Sequence, residues 1–151
     1  MNTSRPCGFT LIELGIVLVI VAILATLAYP SYLEFARKAR RAEARAALFQ
    51  LMQQEERFYS QNTRYVAFSA DSSDADARKF KWYSSDSPSS SAYEITASAC
   101  RDDTLQQCVM LTARPGTARV NAAYRDPVCG DLILTSAGVK AASGGGKNCW
   151  Q

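Results

Sequence analysis

The sequence predicts an α+β fold: one long N-terminal helix, membrane-spanning in its first half and amphipathic in its second, packed on a small antiparallel sheet. Three observations carry this. Residues 9–29 are apolar apart from Thr10, Glu13 and Thr26. Residues 31–60 are rich in Ala, Arg, Glu, Gln and Leu, the strong helix formers. Beyond residue 92 the period shortens to two: Tyr93-Glu-Ile-Thr-Ala-Ser-Ala99 alternates, and Val109-Met-Leu-Thr-Ala-Arg114 is apolar and partly β-branched.

The apolar segment comes first. At 1.5 Å rise per residue it reaches roughly 30 Å as a helix, about the hydrocarbon thickness of a bilayer. Glu13 is the exception within it. A carboxylate there costs several kcal/mol unless a partner meets it or the side chain reaches the interface, and position alone leaves both readings open. A secretory signal is cleaved after its apolar core. Here a glycine, Gly8, stands before that core, behind a short polar leader with one cation, Arg5.

The block Gly8-Phe-Thr-Leu-Ile-Glu13 with its apolar continuation resembles the N-terminal signature of type IV pilins and of the pseudopilins of type II secretion. The resemblance implies that a prepilin peptidase cuts between Gly8 and Phe9. It implies that Phe9 becomes the N-methylated N-terminus and that the apolar segment is kept as a membrane anchor. It makes Glu13 the filament-assembly carboxylate, which meets the terminal amine of a neighbouring subunit. Low dielectric strengthens that pairing, and desolvation offsets much of the gain. The implied layout is a leader at 1–8, a transmembrane and assembly half-helix at 9–29, an amphipathic half-helix at 30–60, and a variable loop, sheet and disulfide-bounded C-terminal loop at 61–151.

Composition narrows the chemistry. There is no histidine, so His-based acid–base catalysis and triads are absent. No glycine-rich phosphate loop follows a strand, and Asp102-Asp103 reads as a turn pair, so no enzyme and no cofactor is expected. Of five cysteines, Cys7 falls in the leader, leaving Cys100, Cys108, Cys129 and Cys149. An even set beyond the anchor fits disulfides in an oxidising compartment, and without histidine or a Cys-x-x-Cys pair a zinc site is disfavoured. The chain has 17 cations against 14 anions, and loss of Arg5 leaves 16 against 14, too small an excess to argue for nucleic acid by itself. Arg37, Lys38, Arg40 and Arg41 flank the anchor on its C-terminal side and, taken alone, would keep that side in the cytoplasm. The cysteines and the signature argue the opposite and place the C-terminal part outside.

Along the helix, Gly15 lowers propensity and Pro30 removes a hydrogen bond, a kink or the start of a new turn. In pilins such positions border a stretch that loosens within filaments. Leu48, Leu51, Met52 and Tyr59 form a core-facing stripe interrupted by Glu55, and Asn62 is a stop. The cations Arg37, Lys38, Arg40, Arg41 and Arg45 suit lipid headgroups and a solvated face; the alternative partner is DNA. Arg78-Lys79-Phe-Lys81-Trp-Tyr83 mixes cations with aromatics, which suits stacking on single strands and equally a strand or loop.

Residues 61–92 read as loop, with a low-complexity run Ser84-Ser-Asp-Ser-Pro-Ser-Ser-Ser91. Cys100 and Cys108 sit at the two ends of a hairpin connection, and Pro115-Gly116 ends the second strand. Leu132–Thr135 reads as a strand, Ser136-Ala-Gly138 as a turn, Val139 onward as its partner, and Ser143–Gly146 as flexible. The ending Cys129-Gly-Asp-Leu…Cys149-Trp resembles the disulfide-bounded C-terminal loop of type IV pilins, PilE-type minor pilins in particular. Four cysteines allow three connectivities; the hairpin favours Cys100–Cys108, and the resemblance implies Cys129–Cys149. Trp150 is expected to pack on the sheet.

The implied function is that of a minor pilin, incorporated into or priming a pilus for twitching, adhesion or uptake. The alternatives are a type II secretion pseudopilin and a DNA-binding minor pilin of natural transformation. The implied partners are other pilin subunits through the N-terminal helix, the inner membrane before assembly, and prepilin peptidase. The implied location is the inner membrane with a periplasmic C-terminal part, then the extracellular filament.

Overall fold

A computed structural model describes residues 10–151. Helix α1 runs Leu11–Asn62, through Gly15 and Pro30 without a break. The chain divides after Lys38 into two compact units. In the first, the apolar side chains are exposed all round, from Leu11 and Ile12 to Ile23 and Leu24. A helix exposing so much apolar surface is soluble only in lipid or against other apolar helices.

The second unit, from Ala39 on, holds the core. Ala44, Ala47, Leu48 and Leu51 of α1 are buried at helical spacing. They face a four-stranded sheet: β1 Tyr93–Ala99, β2 Val109–Pro115, β3 Leu132–Thr135 and β4 Lys140–Ala142. Each strand pairs antiparallel with the next in chain order. The register Ala99↔Val109 makes 100–108 a hairpin connection closed by the Cys100–Cys108 disulfide. Period two selects the buried set: Tyr93, Ile95 and Ala97; Val109, Leu111 and Ala113; Leu132 and Leu134.

Residues 61–92 carry little regular structure, a 3₁₀ turn at Ala77–Lys79 and single bridges Phe68↔Ala97 and Tyr83↔Glu94. They nonetheless supply core: Tyr65, Val66, Phe68, Ala77 and Phe80 are buried. Phe68 stacks on Phe80 at 5.1 Å, and Phe58 of α1 meets Phe80 edge-on at 6.3 Å. The segment closes the open end of the helix–sheet layer, which irregular chain can do where its aromatics reach the core.

A second stripe on α1, Arg41, Arg45 and Phe49, holds the C-terminal segment. The Arg45 guanidinium donates to the Gln151 carbonyl, and Phe49 meets Trp150 edge-on at 6.0 Å. Trp150 Nε1 donates to the Ala141 carbonyl of β4 at 2.8 Å, so the indole does pack on the sheet. The four cysteines form Cys100–Cys108 and Cys129–Cys149. The glycine run 144–146 is not a loose spacer, because Gly144 N–H bonds Cys129 O and Gly146 N–H bonds Val128 O, both at 2.9 Å. A Cβ on Gly144 would lie 2.4 Å from Val128 O, so glycine is required there for close backbone approach.

Candidate functional site

The cleavage and methylation positions, Gly8 and Phe9, lie outside the described residues, as does Cys7. At the start of α1, Thr10 and Glu13 cap the helix reciprocally. Thr10 Oγ1 accepts from the Glu13 amide at 3.3 Å, and Glu13 Oε2 accepts from the Thr10 amide at 3.4 Å. This capping box satisfies two orphan donors and holds the carboxylate at the helix N-terminus. Around Gly15 nothing lies within 4 Å of where a Cβ would stand.

The two cation clusters are less uniform than their sequences suggest. In the first unit Arg37 has no side-chain partner among the described residues, and Lys38 pairs with Glu34 at 2.7 Å. In the second unit Arg40 bonds Glu43 at 3.2 Å and the Ser90 carbonyl at 3.4 Å. Arg41 departs from the expectation of a free DNA or headgroup contact. Its guanidinium meets Asp126 in a two-point bridge, Nε to Oδ2 at 2.5 Å and Nη2 to Oδ1 at 2.7 Å. Side-chain exposure is 12% for Arg41 and 0% for Asp126, so this cation is structural. The Tyr93 hydroxyl also donates to Asp126 at 2.7 Å, and the Cys129 amide at 3.1 Å. Burial would push the Asp126 carboxyl up, but Arg41, Tyr93 and the Cys129 amide outweigh it and hold the group below its usual range.

The second cluster turns partly inward. Phe80 is buried, Lys79 Nζ bonds Asp76 at 2.8 Å, and Lys81 Nζ bonds the Ser85 carbonyl at 2.7 Å. Lys81 also lies over the Tyr83 ring at 5.2 Å, and Trp82 meets Tyr83 edge-on. One face of Tyr83 is therefore already covered. Arg78 stays exposed without a side-chain partner among the described residues.

The fold brings Lys79 to cations that the linear reading did not single out. A groove of about 450 Å³ lies between the last turns of α1 and the 3₁₀ turn. Arg57 and Gln61, four residues apart on one helical face, line one wall, and Asp76 and Lys79 the other, with Phe58 and Phe80 also lining it. Neither the Arg57 nor the Gln61 side chain makes a hydrogen bond among the described residues. Arg64 stands beside the groove, paired with Asp76 at 3.5 Å and over the Phe58 ring at 5.5 Å. The i, i+4 spacing of Arg57 and Gln61 was readable in advance; their approach to residues 76–80 was not. Guanidinium, ammonium and amide donors around an aromatic lining can take phosphate and polar base edges.

Cys100, Asp103 and Cys108 lie close enough together to suggest a metal site. Both sulfurs are in a disulfide, so no thiolate is available to a metal.

A family model described as "Type IV minor pilin ComP, DNA uptake sequence receptor" matches residues 30–133, most of the chain. The chain belongs to the type IV minor pilins. A second model, the prokaryotic N-terminal methylation motif, matches residues 3–29 of this minor pilin. The minor pilin is also similar to two solved structures. One is a type IV pilin from Shewanella oneidensis, at 29% identity and TM-score 0.45, covering 75% of this chain and 96% of that one. The other is the Neisseria meningitidis non-core minor pilin PilV, at 22% identity and TM-score 0.47, covering 76% and 94%. A comparison with curated proteins finds no match. Membership of this family implies association with other pilins and processing by prepilin peptidase.

Proposed function

We propose that this minor pilin binds DNA at the surface of a pilus and serves its uptake. The observation that carries the reading is the match of residues 30–133 to a model described as a DNA uptake sequence receptor. The groove supports it. Arg57 can neutralise a phosphate, Gln61 can reach a base edge, and Arg78 extends the basic rim, while Lys79 is held by Asp76. In this reading the peptidase cuts between Gly8 and Phe9, Phe9 is methylated, and the mature chain waits in the inner membrane with its C-terminal unit in the periplasm. Glu13 then joins it to neighbouring pilins, and Arg37 and Lys38 meet headgroups until the subunit leaves the bilayer.

The test is a fluorescence anisotropy titration of labelled genomic duplex DNA with the mature chain in detergent. Each phosphate neutralised contributes about −0.9 to the slope of log K against log salt. Arg57→Glu combined with Arg78→Glu should weaken binding about tenfold or more and make that slope shallower. Arg114→Glu, outside the groove lining and paired with Asp131, should change little. Absence of binding by the unaltered chain, or binding indifferent to both reversals, sinks the reading.

A further inference from the structure

Glu55 sits in the middle of the apolar stripe of α1 and is fully buried. One oxygen, Oε2, accepts the Val66 amide at 2.9 Å. The other, Oε1, is buried with no hydrogen-bond partner. Among the described residues no cation pairs with it. Arg64, near in sequence to Val66, is turned to Asp76 and the Phe58 ring. Glu56, next along the helix, adds like charge and is itself bonded by the Tyr65 hydroxyl at 2.9 Å. The residues that the sheet and 65–80 bury in the core are apolar, and the charged Asp76 and Lys79, at the groove beside α1, pair with each other. A carboxylate so placed is expensive when charged and cheap when neutral.

This bond ties the chain that leaves α1 back to the helix. Val66 belongs to the crossover 63–68 that leaves the helix. The neighbouring Tyr65 amide bonds Leu105 O at 2.7 Å, and Phe68 pairs with Ala97 of β1. Leu105 lies inside the Cys100–Cys108 hairpin, whose Gln106 carbonyl also accepts the Tyr59 hydroxyl at 3.2 Å. Helix end, crossover and hairpin are thus joined around one acid.

We propose that Glu55 is a proton-operated latch: neutral, it seats the 63–68 crossover against α1; ionised, it releases the crossover and with it the Tyr65 link to the Cys100–Cys108 hairpin. Burial, with Glu56 adding to it and the Val66 amide opposing it, pushes the carboxyl up to about 7. The unfolded value is near 4.5, so the folded form holds the proton more tightly and closure is favoured in acid. The latch loosens as pH rises through 7. It requires neither DNA nor a filament, and it goes beyond the DNA-binding reading.

Amide hydrogen exchange on the full mature chain in detergent, corrected for intrinsic rates, tests it. Between pH 5.5 and 8.5 the opening constant at Val66, and at the Tyr65 amide that bonds Leu105 O, should rise about thirtyfold. Glu55→Gln keeps the acceptor for Val66 and cannot ionise, so its protection should stay flat. Should that variant fail to fold, the carbon-13 shift of the Glu55 carboxyl in the unaltered chain decides, with a midpoint near 7 expected. A midpoint near 4.5, pH-independent protection of the unaltered chain, or the same loss in Glu55→Gln overturns the latch.

Discussion

Arg41 and Glu55 lie on the same helix and are both withdrawn from water, yet their circumstances are opposite. Arg41 meets a carboxylate that is itself held by Tyr93 and the Cys129 amide. Removing the guanidinium leaves Asp126 buried with its charge uncompensated. Arg41→Ala should therefore cost about 3–5 kcal/mol in chemical denaturation, and Arg41→Lys should recover only part, since an ammonium cannot make the two-point bridge. The two acids also set opposite limbs of the pH profile. The folded Asp126 value lies below its unfolded value near 3.8, so its contribution is present above that pH and fades as pH falls through the lower folded value. The folded Glu55 value lies above its unfolded value, so its contribution is full below about 4.5 and lost as pH rises through about 7, roughly 3 kcal/mol in all. Thermal melts from pH 3 to 8 should peak in mild acid, and Glu55→Gln should flatten only the upper limb. Neither role was legible in the sequence. Arg41 stands in a run of cations, and its partner is 85 positions away. Glu55 looked like a polar break in an apolar stripe.

The strands and the hairpin were legible because alternation and paired cysteines are local signals. Tyr93–Ala99 buries every second side chain, as its pattern required. The 61–92 segment was illegible for the converse reason. Its core residues Tyr65, Val66, Phe68, Ala77 and Phe80 obey no period, and their burial follows from contacts with α1 and β1. The glycine run misled in another way. Composition suggested looseness at 143–146, whereas Gly144 and Gly146 lie against the backbone at Val128 and Cys129. Gly145 has nothing within 4 Å of a Cβ. Gly144→Ala should accordingly lower stability by about 1–3 kcal/mol, because the clash is with backbone that cannot turn aside, while Gly145→Ala should be near neutral. Differential scanning calorimetry of the pair would separate close packing from mere flexibility.

For the molecule as a whole, the sequence already carried the family through Gly8, Phe9 and Glu13 ahead of an intact apolar run. It did not carry the groove, since Arg57 and Lys79 approach only in the fold. Glu13→Leu replaces the one acid of the anchor by an apolar residue and removes its half of the capping box. Membrane insertion should persist, because the segment becomes more apolar, and incorporation into filaments should fall steeply. Immunoblots of sheared filaments beside membrane fractions check both halves, and normal incorporation would remove Glu13 from assembly. The C-terminal indole adds a practical dividend. The chain has two tryptophans, and Trp150 sits between Phe49 and the Ala141 carbonyl, one residue past Cys149. With Trp82 replaced by Phe, the emission colour of the remaining ring would register wetting of the bracket that ends at Cys149. The protein so carries an intrinsic optical gauge of its own last turn, usable in detergent or in the intact fibre without any added dye.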